Sequence, residues 1–275
     1  MTTLVLSPHL DDAVLSLGGA IAAWTAAGER VVIATVYTAG PPLAEVAPEM
    51  HVFADYATRL AEDDAACATL GAEVVRLGLV ERAFRPPFLT DFAYFTTPAE
   101  RAGLALAPVR AALDAVALDA ARIVIPLGVG NHVDHVATLV AGTDWALARG
   151  LADQLWFYED FYALAGALRS CHRVTRARMW SAAQAPLRRA PELAAVLHAI
   201  AAKRRGPDPT RLLAHALRDA TWTVEAAPIR EAAKLAAITC YASQETAFGG
   251  HAGIAAALCA YHAWWGDAEP LWRGR

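Results

Sequence analysis

Thr3-Leu-Val-Leu-Ser-Pro-His9-Leu-Asp11-Asp12 is the stretch that decides the fold. Its apolar run reads as a buried strand. Pro8 stops the run, and one histidine and two carboxylates follow within four positions. A second apolar run, Ile123-Val-Ile-Pro126, leads to a second polar cluster, His132-Val-Asp134-His135. Parallel strands of an open α/β sheet end on one edge, where such sheets bind ligands. Two strand ends carrying His and Asp therefore predict one site built from both.

Outward from these motifs, strand and helix patterns alternate. Residues 3–7, 30–38, 73–77, 122–127 and 154–158 read as strands. Residues 13–27, 56–70, 98–118 and 134–149 read as helices, the third opened by Thr97 as N-cap before Pro98. The βαβ alternation predicts a mostly parallel sheet with helices on both faces. Past residue 165 the pattern changes. Residues 172–180 and 221–224 read as added strands, and 192–203, 210–219, 228–240 and 252–265 as helices. The expectation is one α/β domain over residues 1–275. Residues 1–165 form a Rossmann-like three-layer core, and 166–275 close it. The segments 40–50 and 82–97 are long for connections, so they are mobile or belong to a site. The Gly18-Gly19 pair inside the first helix reads equally as a close backbone approach or as simple helix packing.

Hydrophobic residues make up 56% of the chain and charged residues 19%, enough apolar mass for a sizeable core. The formal charge of −4 gives no footprint for nucleic acid. The basic run Lys203-Arg-Arg205 reads as a solvated helix end. Four dispersed cysteines, with no C-x-x-C, point to isolated thiols rather than a thiolate zinc site or a disulfide framework. There is no basic N-terminal region ahead of an apolar core, and no stretch of membrane-spanning length, so a cytoplasmic protein is expected. A homo-oligomer is compatible with this composition.

Histidine and aspartate are good ligands for a borderline divalent metal. His9 and Asp12 reach one ion from a strand-to-helix turn, and His135 completes a His2Asp set. Asp11 is then free to act as a base, and His132 to donate a proton or stabilise an oxyanion. Asp134 is placed to orient an imidazole. Zn2+ is the expected ion, with Fe2+ as the alternative.

Together these motifs resemble the PIG-L/LmbE family of metal-dependent de-N-acetylases. That family has a His-Pro-Asp-Asp type motif after a strand and a later His-x-Asp-His motif, at a similar separation. Ser7-Pro8 and Pro126-Leu-Gly-Val-Gly130 extend the likeness. So do Arg59-x-x-Glu62-Asp63, Leu70-Gly71, Tyr158-Glu159-Asp160, Lys234 and Tyr241-Ala-Ser243-Gln244. The resemblance implies His9, Asp12 and His135 as metal ligands, Asp11 as general base and His132 as acid or electrostatic helper. It implies a Rossmann-like α/β sandwich and hydrolysis of an N-acyl group, usually acetyl, from an N-acetylglucosamine-type conjugate. Three positions depart from the pattern. Leu10 replaces the motif's Pro, and Ala13 replaces the Glu that usually follows the two Asp residues. Gly130 stands where thiol-biosynthesis relatives carry an oxyanion-stabilising Tyr.

Arg59 reads either as a fork for a substrate phosphate, carboxylate or hydroxyl, or as an intrahelical partner of Glu62 or Asp63. Tyr158, Glu159 and Asp160 end a strand at the presumed ligand edge and are expected to touch substrate. Phe84, Phe88, Phe92, Tyr94 and Phe95 form a candidate aromatic rim. His251 is a further residue able to approach the site. The remaining histidines, His51, His172, His198, His215 and His262, read as surface or helix-face residues. Two other function classes compete. His9-x-Asp11 with a distant His resembles the facial triad of non-haem Fe(II) oxygenases, which usually sits on a jelly-roll of antiparallel strands. A non-catalytic binding protein on the same fold is the other. The reading adopted is a zinc-dependent amide hydrolase.

Overall fold

Runs of Val, Ile and Leu fill strands whose two faces are both buried. In the computed structural model, which describes all residues except Thr90, Asp91 and Ala117, five strands pair in parallel, four of them largely buried and the edge strand at 73–80 partly exposed. They are β1 (Thr2–Ser7), β2 (Arg30–Ala39), β3 (Glu73–Val80), β4 (Arg122–Pro126) and β5 (Leu155–Tyr158). Among them lie α1 (Asp12–Ala26), α2 (His51–Ala54), α3 (Tyr56–Leu70), α4 (Leu106–Asp114) and α5 (Val133–Ala148). The chain continues through α6 (Gly166–Arg169), α7 (Pro191–Lys203), α8 (His215–Arg218), β6 (Trp222–Pro228), α9 (Glu231–Ile238), α10 (His251–Trp264) and β7 (Ala268–Gly274). The sheet order is β3-β2-β1-β4-β5-β7-β6, with β7 antiparallel to both neighbours.

This is the mostly parallel α/β sheet that the alternation predicts. From β1 the chain steps one way to β2 and β3, then returns to build β4 and β5 on the other side. Right-handed crossovers in opposite directions place α1 and α3 on one face and α5 on the other. The order reverses between β1 and β4, so the loops leaving these strands diverge and open a crevice. Both polar motifs sit there. Buried residues from Leu4 to Trp272 join one hydrophobic core, so the segment after residue 165 packs on the same core as the first half.

Four expectations need correction. The helix read over 98–118 begins only at Leu106. Thr97 does not cap it; its N–H donates to Arg205 O at 3.0 Å. Pro108 would interrupt a helix begun at residue 98, but in the first turn of α4 its missing N–H costs nothing. Ala117, near the end of that reading, lies outside the described residues, as do Thr90 and Asp91 of the 82–97 connection. Residues 172–180 are not a strand. They wrap the buried Arg169 guanidinium, whose Nε donates to Arg178 O and which lies over the Trp180, Trp264 and Trp265 rings. The helix read over 210–219 is a 3-10 turn, Pro209–Leu212, followed by the single turn of α8. Finally, β7 has no counterpart among the expected strands, and it carries Pro270, a residue an inner strand tolerates poorly. β5 pairs only with Leu271 and Trp272, so at Pro270 the strand has β6 alone as neighbour.

The Gly18-Gly19 pair serves a close approach to α9. A Cβ at Gly19 would meet Ile229 at 2.8 Å, and one at Gly18 would meet Lys234 at 3.1 Å. The approach buries an ion pair, Lys234 Nζ to Glu269 Oε1 at 2.6 Å. Glu269 also accepts from the N–H groups of Gly19 and Ala20. His262, read as a helix-face residue, is buried beside the pair at 3.3 Å. Burial alone would raise the Glu269 carboxyl, but Lys234 and then His262 hold it at about 2, against 4.5 for an unperturbed Glu. Its folded pKa lies below its unfolded one, so its stabilisation is present above pH 4.5 and lost as pH falls toward 2. Glu269→Gln is expected to cost about 3–5 kcal/mol at pH 7, because it strands the buried ammonium. The variant should also lose less stability than the native protein between pH 4.5 and 2. Denaturant titrations at pH 7 and pH 3.5 check both points; equal midpoints for variant and native at pH 7 would refute the role.

Of the cysteines only Cys67 is buried; Cys171 is exposed, and Cys240 and Cys259 are partly so, all as free thiols. No helix among the described residues is long and apolar enough to cross a membrane.

Candidate metal centre

The turn after β1 is set by short polar contacts. Ser7 Oγ donates to His9 O at 2.7 Å and accepts from Ala13 N–H at 3.0 Å. Asp12 Oδ2 accepts from His9 N–H at 2.9 Å. Between them Asp11 adopts φ +105°, outside the regions ordinary residues favour. Its backbone is one of the groups that hydrogen-bond Asp63, itself tied to Arg76 and to Tyr241 Oη. Backbone strain of this kind persists where surrounding structure over-determines it. The turn after β4 runs through Gly128, Gly130 and Asn131, all at positive φ, before α5 begins. His132 caps that helix, its Nδ1 accepting from Asp134 N–H at 3.3 Å.

The two turns converge on one point. His9 Nδ1 and His135 Nε2 each lie 3.2 Å from Asp12 Oδ2. His132 brings a third imidazole nitrogen within 4.8 Å of the other two. A second set of carboxylates grips the far sides of the His9 and His135 rings. Asp134 Oδ2 lies 3.2 Å from His9 Nε2, and Asp160 Oδ1 lies 2.6 Å from His135 Nδ1. Asp134 is fixed in turn by Arg82 N–H at 2.7 Å and by the Arg85 guanidinium, and Asp160 by Val129 N–H at 2.8 Å.

The donor set calls for positive charge. Burial alone would raise the Asp12 carboxyl, but His135 and then His9 push it far below the usual carboxylate range. Burial would lower His135, yet Asp12 and Asp160 lift it to about 9. His9 is also raised against its burial, by Glu81 and then Asp12 and Asp134. Buried His135 Nε2 has no hydrogen-bond partner, although its lone pair or proton faces Asp12. A divalent cation at this point would replace the imidazole protons, satisfy the orphaned nitrogen and meet two imidazoles and a carboxylate. The residues therefore fit a metal ion.

Around the centre, burial first and then the Asp12 charge raise the Asp11 carboxyl well above its usual range. Burial and then His9 lower His132, so its imidazole stays neutral. Because His132 Nδ1 accepts a hydrogen bond, the proton of the neutral ring belongs on Nε2.

These features coincide with a known family. A family model described as GlcNAc-PI de-N-acetylase, PIG-L, matches residues 4–146, which contain both motifs. The chain belongs to this family. No curated protein matches it. Solved structures share its fold. A40926 pseudoaglycone deacetylase Dbv21 superposes with TM-score 0.64 at 20% identity, covering 99% of this chain and 96% of that one. A deacetylase of teicoplanin biosynthesis, solved as a complex with teicoplanin, gives 0.63 at 18% identity, covering 100% and 99%. A conserved protein from Thermus thermophilus gives 0.51 at 17% identity, covering 98% and 92%. The PIG-L chain thus carries the mostly parallel fold of LmbE-like deacetylases. That sheet is not the jelly-roll on which oxygenase triads usually sit, and the carboxylate between the imidazoles is Asp12, not Asp11.

Of the other expected site residues, Arg59 lines the same cavity as His9, Asp11, Asp12 and His132, whereas Tyr158, Glu159 and Asp160 do not. Arg59 is buried, and its partner is neither Glu62 nor Asp63 but Glu81, at 2.7 Å. Glu62 instead accepts from Ser243 N–H and Oγ, both at 2.7 Å. The paired signals at 59–63 and 241–244 thus belong to one packed junction beside the site. The expectation of substrate contact at Tyr158, Glu159 and Asp160 fails, because protein groups take up their polar atoms. Tyr158 Oη donates to Leu6 O at 3.0 Å. Glu159 binds Arg169, Tyr261 Oη and Trp272 Nε1, and Asp160 holds His135. His251 lies near Glu245 and does not line the cavity, while His172 is buried against Leu127 O.

Of the aromatic loop, Tyr94 and Phe95 pack on the His132 ring at 5.2 and 5.0 Å, and Tyr94 O accepts from Val133 N–H. Sequence reasoning missed Tyr162. Its ring lies 5.3 Å from the His135 ring and against Gly130, where a Cβ would meet it at 3.0 Å. The residue after Asp160-Phe161 carries no motif of its own; the only hint was an empty side chain at Gly130.

Proposed function

We propose that this PIG-L chain is a zinc-dependent hydrolase that removes an N-acyl group, in the simplest case acetyl, from an amino-sugar conjugate such as an N-acetylglucosaminyl compound. The observation that carries this reading is the meeting of His9 Nδ1 and His135 Nε2 at Asp12 Oδ2, with Asp11 alongside. His9, Asp12 and His135 would hold Zn2+, or Fe2+ in its place. When bound, such an ion supplies Lewis acidity toward the amide carbonyl and toward water.

The remaining steps belong to the chain's own residues. Asp11 accepts the proton of the attacking water and passes it to the leaving amine. His132, neutral with its proton on Nε2, donates a hydrogen bond to the developing oxyanion. Asp134 and Asp160 hold the two ligand imidazoles in the required orientation. Tyr162 lines the same cavity as His9, Asp11, Asp12 and His132 and supplies a second donor, taking the space that Gly130 leaves open.

Tyr162→Phe is accordingly expected to lower kcat about 10²-fold, with little change in KM or bound metal. Steady-state kinetics beside elemental analysis check this; an unchanged kcat would remove Tyr162 from the chemistry. The overall reading is tested by incubating the zinc-loaded protein with N-acetyl and N-octanoyl amino sugars and measuring released primary amine. Metal bound at one ion per chain with no amine released from any of them would favour the non-catalytic binding protein.

A further inference from the structure

The Asp11 turn is closed from the side of α3. Arg59 and Asp63 both belong to the buried stripe of that helix and, four apart, share a face. Arg59 lines the cavity over the metal centre; Asp63 does not. Asp63 is 2% exposed, and its carboxylate meets the Asp11 backbone, Tyr241 Oη at 2.5 Å and Arg76 Nη2 at 2.6 Å. A carboxylate only accepts, so the backbone partner is the Asp11 N–H. The other end of the same residue is tied as well: Asp11 O accepts from Leu15 N–H at 2.9 Å, the bond that opens α1.

Two adjacent carboxylates have to serve different ends here. Asp12 Oδ2 is taken up between His9 and His135, whereas Asp11 has to stay free toward the cavity. The chain separates them at φ +105°. Such a conformation is disfavoured about 5- to 150-fold against ordinary backbone for a residue with a side chain. A charge-assisted bond from the N–H to a buried carboxylate is strong enough to offset that. The carboxylate in turn is tolerable in the core only because Tyr241 and Arg76 meet it. Tyr241 lies 178 residues further along the chain, and its neighbour Ser243 is held by Glu62. The paired signals at 59–63 and 241–244 thus converge on the Asp11 N–H.

We propose that Asp63 is a positioning residue. Held by Tyr241 and Arg76, it fixes the Asp11 N–H, and with it the direction in which the Asp11 carboxylate meets the water and the leaving amine. The inference rests on the hydrolase reading for what Asp11 does. The hold on the Asp11 backbone is a separate property of the fold.

Three variants test it: Asp63→Ala, Asp63→Asn, which keeps an acceptor oxygen, and Tyr241→Phe, which removes one hydroxyl. The first readout is hydrogen exchange of the Asp11 amide by NMR, with and without bound zinc. Exchange should quicken about tenfold in Tyr241→Phe and about 100-fold in Asp63→Ala, with Val5 and Ile33 of the neighbouring strands at native rates. Asp63→Asn should stay close to native. The second readout is kcat for amine release. Asp63→Ala should lower kcat about 30-fold and Tyr241→Phe about fivefold, with KM and bound zinc near native. Asp63→Asn should restore most of the loss. With Asp11 already changed to Asn, either substitution should lower kcat by less than about twofold, because no base is left to aim. Equal losses in the two backgrounds would overturn the proposal, as would native exchange at Asp11 or faster exchange with native kcat. Faster exchange in a protein that releases no amine from any acylated amino sugar would keep the hold on Asp11 and sink the hydrolase reading. If Asp63→Ala does not fold, Tyr241→Phe carries both measurements.

Discussion

Asp12→Ala is expected to abolish metal binding and turnover together. Native protein should carry about one ion per chain after reconstitution with zinc, and the variant close to none. Turnover should fall on the order of 10³-fold or more, since the lost ion would otherwise stabilise several kcal/mol of transition-state charge. Asp12 Oδ2 is the atom on which both imidazoles converge, at 3.2 Å from each. It also accepts the His9 N–H, so its loss frees the turn that aims His9. Asp134 lies on the far side of the His9 ring and Asp160 on the far side of His135, so neither carboxylate can take its place. His9→Ala and His135→Ala should behave alike. Elemental analysis of native and variant proteins, prepared side by side, decides the matter. A native protein that takes up no zinc, or an Asp12→Ala variant that keeps it, would dismantle the proposed centre.

Much of this architecture was legible in the residues, for identifiable reasons. The strands β1, β2 and β4 are near-continuous apolar runs rich in β-branched residues, and burial on both faces leaves that composition few other uses. The two motifs were legible because a parallel sheet brings strand ends to one edge whatever the loops do. Failures came where meaning depends on a distant partner. Arg169 organises 172–180 only because Trp264 and Trp265, far along the chain, close over it together with the segment's own Trp180, which no local pattern records. Asp160 ends a strand at the ligand edge as read, but whether it faces a substrate or His135 is set by the turn at Val129. Tyr162 had no local signature, since a lone aromatic residue near a cavity looks in sequence like any core residue. Pro108 was legible: a proline ten residues into an expected helix marks its true first turn.

Asp11→Asn should leave metal content unchanged and lower kcat about 10³-fold, with KM within about twofold of native. Asn is the informative replacement. At φ +105° the Asp11 backbone suits few residues, and Asn tolerates left-handed conformations nearly as well as Asp does, whereas Ala would strain the turn that also positions His9 and Asp12. Asn keeps the side chain's shape and polarity but cannot accept a proton. The loss therefore reports base chemistry rather than misfolding, provided metal stays bound. Burial and the neighbouring Asp12 charge strengthen Asp11 as a base by raising its carboxyl above the usual range, which suits a group that takes a proton and returns it within one turnover. The same variant separates the competing chemistry. In an oxygenase-type triad Asp11 would be the ligand, and Asp11→Asn would shed the metal while Asp12→Ala kept it. Retained metal with lost turnover at Asp11, set against lost metal at Asp12, assigns the two adjacent carboxylates opposite roles. Near-normal turnover in Asp11→Asn would move the base to another group, with His132 next in line.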